Sequence, residues 1–167
     1  NTGVKHDPVT ITRVENADGQ VLEKWELDAG KEVIDPQVAF LINSILSDTT
    51  VRLHENLTIP GQVNAAKTGT SNVKDAKNNY YPHDLWTMGY TTSLVTGVWA
   101  GNNKEEEGYI SVYADGINVA ASIWKKFMVE ALKDTPSEPF PKPPGIQERA
   151  ISKVSGKLAG PATPANQ

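Results

Sequence analysis

Val63-Asn64-Ala65-Ala66-Lys67-Thr68-Gly69-Thr70 is the stretch on which the reading turns. The apolar Val63 and Ala65-Ala66 carry a lysine, a glycine and two threonines onto a strand rather than into a polar loop. Taken alone, Lys67-Thr68-Gly69-Thr70 has a plain use, since an edge lysine discourages aggregation and a strand glycine often marks a bulge. Its chemical rival is a phosphate loop, because Gly61 to Thr68 stands one residue away from G-x-x-x-x-G-K-[ST]. Ala66 takes the place of the last glycine, and Ser71 to Pro82 lacks the sustained apolar face of the helix that such a loop must open. A nucleotide phosphate is therefore set aside.

Working outward, Val63–Thr70, Leu85–Tyr90 and Leu94–Ala100 are strand candidates, and the short connection between the last two favours antiparallel pairing. Upstream, Val9 to Thr12 alternates, Asn16-Ala17-Asp18-Gly19 supplies turn chemistry, and Val21 to Trp25 resumes, which predicts a hairpin. Asp35-Pro36 is a helix start, with aspartate free to cap and proline costing nothing in the first turn. Val38, Leu41, Ile42, Ile45 and Leu46 then share one face, and this helix should pack against a sheet. Ala120, Ile123, Trp124, Phe127, Met128 and Ala131 mark a second amphipathic helix ending near Lys133. Gly101 to Gly108, with Glu105-Glu106-Glu107, reads as a solvated loop. From Pro136 to Pro164 lie seven of the eleven prolines with few large apolar residues, which divides the chain into a folded part, 1–134, and a Pro-rich tail, 135–167.

The composition bounds the function. With 167 residues, 38% hydrophobic and 22% charged, the chain is globular in character, and a net charge of -4 with scattered lysines offers nothing to neutralise a nucleic-acid backbone. Cysteine is absent, and His6, His54 and His83 lack metal-ligand spacing, so the reading calls for neither metal nor cofactor. No apolar run approaches the roughly 20 residues that span a bilayer.

A lysine-threonine-glycine strand, a Ser-x-x-Lys nucleophile and a Ser-Asp-Asn element together mark penicillin-binding proteins and class A β-lactamases. The likeness here goes beyond the triplet. Gly3-Val4, Pro8, Ile11 and Asp18-Gly19 resemble the stretch preceding that motif in bifunctional penicillin-binding proteins, and Ala66 to Ser71 resembles the motif itself. Asp84, Trp86, Gly89-Tyr90-Thr91, Leu94-Val95 and Gly97 to Asn102 resemble the family's next two strands, and Ala120-Ala121, Ile123-Trp124 and Phe127-Met128 its closing helix. Thr92 and Ser122 stand where proline is common.

The resemblance implies an α+β fold, an antiparallel sheet flanked by helices, incomplete without an upstream segment. It implies D,D-transpeptidase chemistry on peptidoglycan stem peptides ending in D-Ala-D-Ala, and binding of β-lactams. Lys67 would bring positive charge to the proton-transfer network and the substrate carboxylate, Thr68 and Thr70 hydroxyls to that carboxylate, and Gly69 room for the substrate backbone. The amide of Thr70 would be one of two oxyanion donors. Lys67 and Thr70 are thus the catalytic candidates, and Lys67, Thr68, Gly69 and Thr70 the substrate-binding ones. Ser71-x-x-Lys74 and Ser122-x-x-Lys125 spell the nucleophile but fall after the third motif and inside the closing helix. The serine and a Ser-x-Asn element are therefore expected from an upstream segment, at the extracytoplasmic face of the membrane. Alternatives are a non-catalytic binding module of the same fold and a D,D-carboxypeptidase.

Overall fold

A computed structural model describes residues 2–52, 54–104, 108–161 and 163. Among these residues are three small sheets and two α-helices. At the N-terminal end, β1 (Val4–Lys5) pairs antiparallel with β4 (Lys31–Glu32), enclosing the hairpin of β2 (Arg13–Glu15) and β3 (Val21–Lys24). The hairpin turns where expected, but its first strand is Arg13–Glu15 and not Val9 to Thr12. Asn16 Oδ1 accepts from the amides of Asp18 at 3.1 Å and Gln20 at 2.8 Å, and Gly19 takes the left-handed conformation, φ 79°.

Helix α1 (Pro36–Ser47) begins as its sequence dictates, with Asp35 Oδ1 accepting from Gln37 N at 2.7 Å and proline in the first turn. It lies against the third sheet, with Ile45 and Leu46 beside Ala66 and Thr68 of its first strand. The buried residue of α1 is Asn43, whose Oδ1 accepts from Tyr90 Oη at 2.7 Å, while Val38, Leu41 and Ile42 are about half exposed and Ile45 is 63% exposed. The helix thus meets a sheet as expected, with Leu46 half-buried and the rest of its apolar stripe only partly covered.

The third sheet is an antiparallel meander, β5 (Ala65–Lys74), β6 (Tyr80–Tyr90) and β7 (Val95–Gly101), in that spatial order. β6 alternates, with Leu85, Thr87 and Gly89 buried and Trp86 and Met88 exposed. The buried side meets α2 (Ala121–Ala131), which a single π-helical turn, Gly116–Ala120, introduces. Trp124 and Met128, both fully buried, pack with Leu57, Ile59, Ala66, Ala121 and Leu132. Leu85, Ala114 and Ala120 form a smaller core beside them. Fully burying a side chain such as Leu85 contributes about 1.5–3 kcal/mol. The aromatic stripe of this helix is thus divided, since Phe127 stays half exposed.

Two strands run further than their patterns suggest. β5 continues through Ser71 to Lys74 and β6 starts at Tyr80, joined by a turn in which Asp75 Oδ1 accepts from the amides of Lys77 and Asn79 at 2.8 and 2.9 Å. Lys74 is a strand residue with Nζ 4.8 Å from the centre of the Tyr80 ring. This extension reaches past the helical layer, so it lacks the alternation that burial would impose. Pro82 is tolerated within it because the register shifts there.

Arg52 pins the approach to β5. Its guanidinium donates to the carbonyls of Leu46 and Leu57 at 3.2 and 2.7 Å, to Thr58 Oγ1 at 2.9 Å, and to the carbonyl of Asn64. Buried Asn64 in turn donates to Leu57 O at 2.9 Å and accepts from Ile59 N at 3.1 Å. Described residues beyond 134 contact the body of the fold. Gln62 Nε2 donates to Thr135 O at 2.7 Å, Val63 N to Ser137 Oγ at 2.9 Å, and buried Phe140 meets the Tyr90 ring edge-on at 5.7 Å. Glu105-Glu106-Glu107 lie outside the described residues.

Candidate active site

Lys67, Thr68, Gly69 and Thr70 occupy consecutive positions in the first half of β5. Among the described residues β5 pairs with β6 alone, so the other edge of the strand carries no ladder. The four residues divide by the strand's period of two. Thr68 and Thr70 share the face of buried Ala66 and approach the π-helical turn, where Gly116 N donates to Thr70 Oγ1 at 3.3 Å. Lys67 and Gly69 take the opposite, open face. Lys67 is exposed, and its Nζ donates to Thr68 O at 2.6 Å. Beside them a groove runs between the end of α1 and the strand, lined by Ile45, Val51, Leu57, Ala66, Lys67 and Thr68.

The glycines at this site differ in kind. A Cβ on Gly69 would meet only Trp86 Cβ at 3.6 Å, an ordinary contact, so packing within the chain does not demand glycine there. Gly116 is the opposite case. A Cβ on it would lie 2.8 Å from Trp86 O and 3.0 Å from Gly69 O, so the turn approaches the β5–β6 backbone as closely as glycine permits. Thr87 Oγ1 donates to Gly116 O at 3.1 Å and holds the turn in place. Gly116 was not singled out by its sequence context, although Asp115, whose carboxylate accepts from Asn118 N at 2.6 Å, is a readable helix start.

Neither internal Ser-x-x-Lys brings its serine to its lysine. Ser71 Oγ donates to Asp84 Oδ2 at 2.5 Å while Lys74 lies over Tyr80. Ser122 Oγ donates back to Asn118 O at 2.9 Å and accepts from Asn56 Nδ2, and Lys125 Nζ donates to Glu55 O at 2.9 Å. The histidines are engaged locally: His6 with Asp28, His54 as cap of a short 3-10 turn, and His83 with Asp84.

Residues 1–129 match the family described as penicillin binding protein transpeptidase domain. The chain belongs to that family. Penicillin-binding protein 1A of Mycolicibacterium smegmatis is 34% identical over 167 residues, covering 98% of this chain and 20% of the relative. Penicillin-binding protein 1A of Pseudomonas aeruginosa is 35% identical over 142 residues, covering 84% of this chain and 16% of the relative. The structure of PonA1, a penicillin-binding protein from Mycobacterium tuberculosis, superposes with a TM-score of 0.67 at 28% identity, covering 89% of this chain and 42% of that one. Penicillin-binding protein 1A from Haemophilus influenzae shares the fold at a TM-score of 0.78 and 19% identity, covering 98% of this chain and 29% of that one. The chain thus spans about a fifth of the length of these curated relatives, and its fold is part of the α+β penicillin-binding transpeptidase fold.

Proposed function

We propose that this chain supplies the substrate and oxyanion strand of a peptidoglycan D,D-transpeptidase whose nucleophilic serine lies in an upstream segment with its Ser-x-x-Lys and Ser-x-Asn elements. The observation that carries the reading is the edge of β5 at Lys67 to Thr70, which has no partner strand among the described residues. An extended stem peptide adding to that edge would gain main-chain hydrogen bonds, and a β-lactam would occupy the same place. The intramolecular freedom at Gly69 leaves space for its backbone.

In the acylation step, the upstream serine Oγ bonds to the penultimate D-Ala carbonyl carbon, the peptide C–N bond breaks, and the terminal D-Ala leaves with the proton. Thr70 N–H is a donor to the oxyanion, a role whose loss costs about 2.7–4 kcal/mol in comparable sites. Lys67 contributes cationic charge to the proton-transfer network and, with Thr68 and Thr70, binds the substrate carboxylate. Residues 1–134 are on this reading the transpeptidase part and 135–167 an appended Pro-rich segment. The work is placed at the extracytoplasmic face of the membrane, where peptidoglycan stem peptides are. A D,D-carboxypeptidase would use water in place of the amine acceptor on the same strand.

The test is co-expression with the Ser-x-x-Lys segment and labelling with a fluorescent penicillin. The chain alone should form no adduct, and the pair should acylate on the upstream serine. Lys67→Ala should lower that acylation about 100-fold or more, as for loss of a preorganised charge at the reacting centre. Lys74→Ala, at the far end of the hairpin, should leave it near wild type. Equal losses from both, or an adduct on Ser71 or Ser122, would overturn the reading.

A further inference from the structure

Just past Thr70 the β5–β6 ladder breaks its register. Thr70 stands opposite Leu85 but Asn72 opposite Pro82, so the single residue Ser71 faces two, His83 and Asp84. A bulge of this kind leaves ladder groups to be satisfied by other means. Here the means is one carboxylate. Ser71 Oγ donates to Asp84 Oδ2 at 2.5 Å and accepts from Asp84 N at 3.2 Å, a closed reciprocal pair across the break. Asp84 Oδ1 accepts from Trp99 Nε1 on β7 at 2.9 Å, and His83 Nδ1 lies 3.1 Å from Oδ2. Three strands are thus fastened through one side chain. These bonds, Ser71's first and then those of Trp99 and His83, hold the carboxyl at about 2, so it stays an ionised acceptor. Gly101 is part of the same device, since a Cβ there would lie 2.9 Å from Asp84 Oδ1 and 2.8 Å from Trp99 Cζ2.

Thr70 is consequently held from two sides. On the core face its hydroxyl accepts from Gly116 N, and on the open face the residue after it is locked to Asp84. Bulges beside active sites re-aim the residues next to them. We propose that Asp84 is a positioning residue which, through Ser71 and Trp99, fixes the bulge and thereby the direction in which the Thr70 amide points at the reacting acyl group. This rests on the reading of Thr70 as an oxyanion donor. The amide of Thr70 belongs to the peptide adjoining the locked residue's neighbour, so a released bulge swings that donor while leaving the Lys67 end of the strand paired.

The test uses the protein complete with its Ser-x-x-Lys segment and a chromogenic cephalosporin at saturating and subsaturating concentrations, which separates reversible affinity from the acylation rate constant. Asp84→Ala and Ser71→Ala should lower the rate constant about ten- to hundred-fold, the scale expected of a donor misplaced by about 1 Å, with reversible affinity unchanged. Ser71→Thr, which keeps the hydroxyl, should restore the rate. A wild-type rate constant in Asp84→Ala and Ser71→Ala, with only the labelled fraction or the thermal midpoint reduced, would make the network merely stabilising and overturn the proposal. So would a Ser71→Thr protein as slow as Ser71→Ala. Where Asp84→Ala does not yield folded protein, the comparison of Ser71→Ala with Ser71→Thr decides alone. Lys67→Ala acylating at the wild-type rate would instead overturn the underlying assignment of the strand, whatever Asp84 does.

Discussion

Gly89 and Trp124 offer the sharpest test of how the sheet meets its helix. A Cβ placed on Gly89 would lie 2.2 Å from Trp124 Cζ2 and 2.6 Å from Cε2. Carbon atoms in contact settle at about 3.5–4.0 Å, so the indole would have to retreat by more than about 1 Å. It has nowhere to go, being fully buried among Leu57, Ile59, Ala66, Ala121, Met128 and Leu132. Gly89→Ala should therefore destabilise by about 1–3 kcal/mol, the usual scale of overpacking. Trp124→Phe removes the clashing atoms, and also Nε1, a buried donor with no partner among the described residues, at the expense of a cavity. In that background Gly89→Ala should cost less than about 0.5 kcal/mol, because the added methyl fills space the indole vacated. Urea unfolding of the chain together with the proposed upstream segment, followed by circular dichroism for the four-member cycle, gives the coupling directly. A Gly89→Ala cost that is equal in both backgrounds would refute this account of the sheet–helix contact.

Two further outcomes follow from exposed surface and from charge. Produced alone, the chain should self-associate or unfold without a cooperative transition, because among the described residues Val38, Leu41, Ile42 and Ile45 of α1 are half exposed or more and the outer edge of β7 has no partner strand. Sedimentation and calorimetry check this, and a sharp transition from a clean monomer would contradict it. Asp84, at about 2 in the fold against 3.8 for the free group, contributes stability that is full above about pH 4 and is lost as pH falls toward 2. Asp84→Asn should flatten the acid limb of the stability profile in that window, as read by urea midpoints at stepped pH, while leaving its shape above pH 6 unchanged.

The sequence makes the meander, the N-terminal hairpin and both helices legible, because each is written in local signals: turn chemistry at Asn16 to Gly19, a cap at Asp35, and alternation through Leu85 to Gly89. The Lys67–Thr70 strand was legible as well, though only through its neighbours in order along the chain. Other features left no local trace. Ser71 to Lys74 and Tyr80 to Pro82 form strands that cover no core, so burial writes no period into them. The roles of Gly116 and Asp84 depend on partners 46 and 13 residues away, Thr70 and Ser71, which a linear reading cannot pair. The α1 stripe announced a packed helix, but a periodic face does not say how fully it is covered, and Val38, Leu41, Ile42 and Ile45 remain half exposed or more.

The cluster around Arg52 bears on which changes in length the chain can accept. Its bonds join residues 46 to 64, a short span whose closure is entropically cheap, so Asn64 is anchored independently of the sheet. From that anchor the pleat counts forward two by two, and it is the count that delivers Lys67 to the open face and Thr68 to the other. One residue inserted or lost between Asn64 and Lys67 would exchange the two faces for every residue as far as the bulge. Insertions in the turn between Lys74 and Tyr80 disturb no such count. Variation in length among related chains should therefore gather at the tip of that hairpin and be absent from the three residues after Asn64, whichever small side chains stand there.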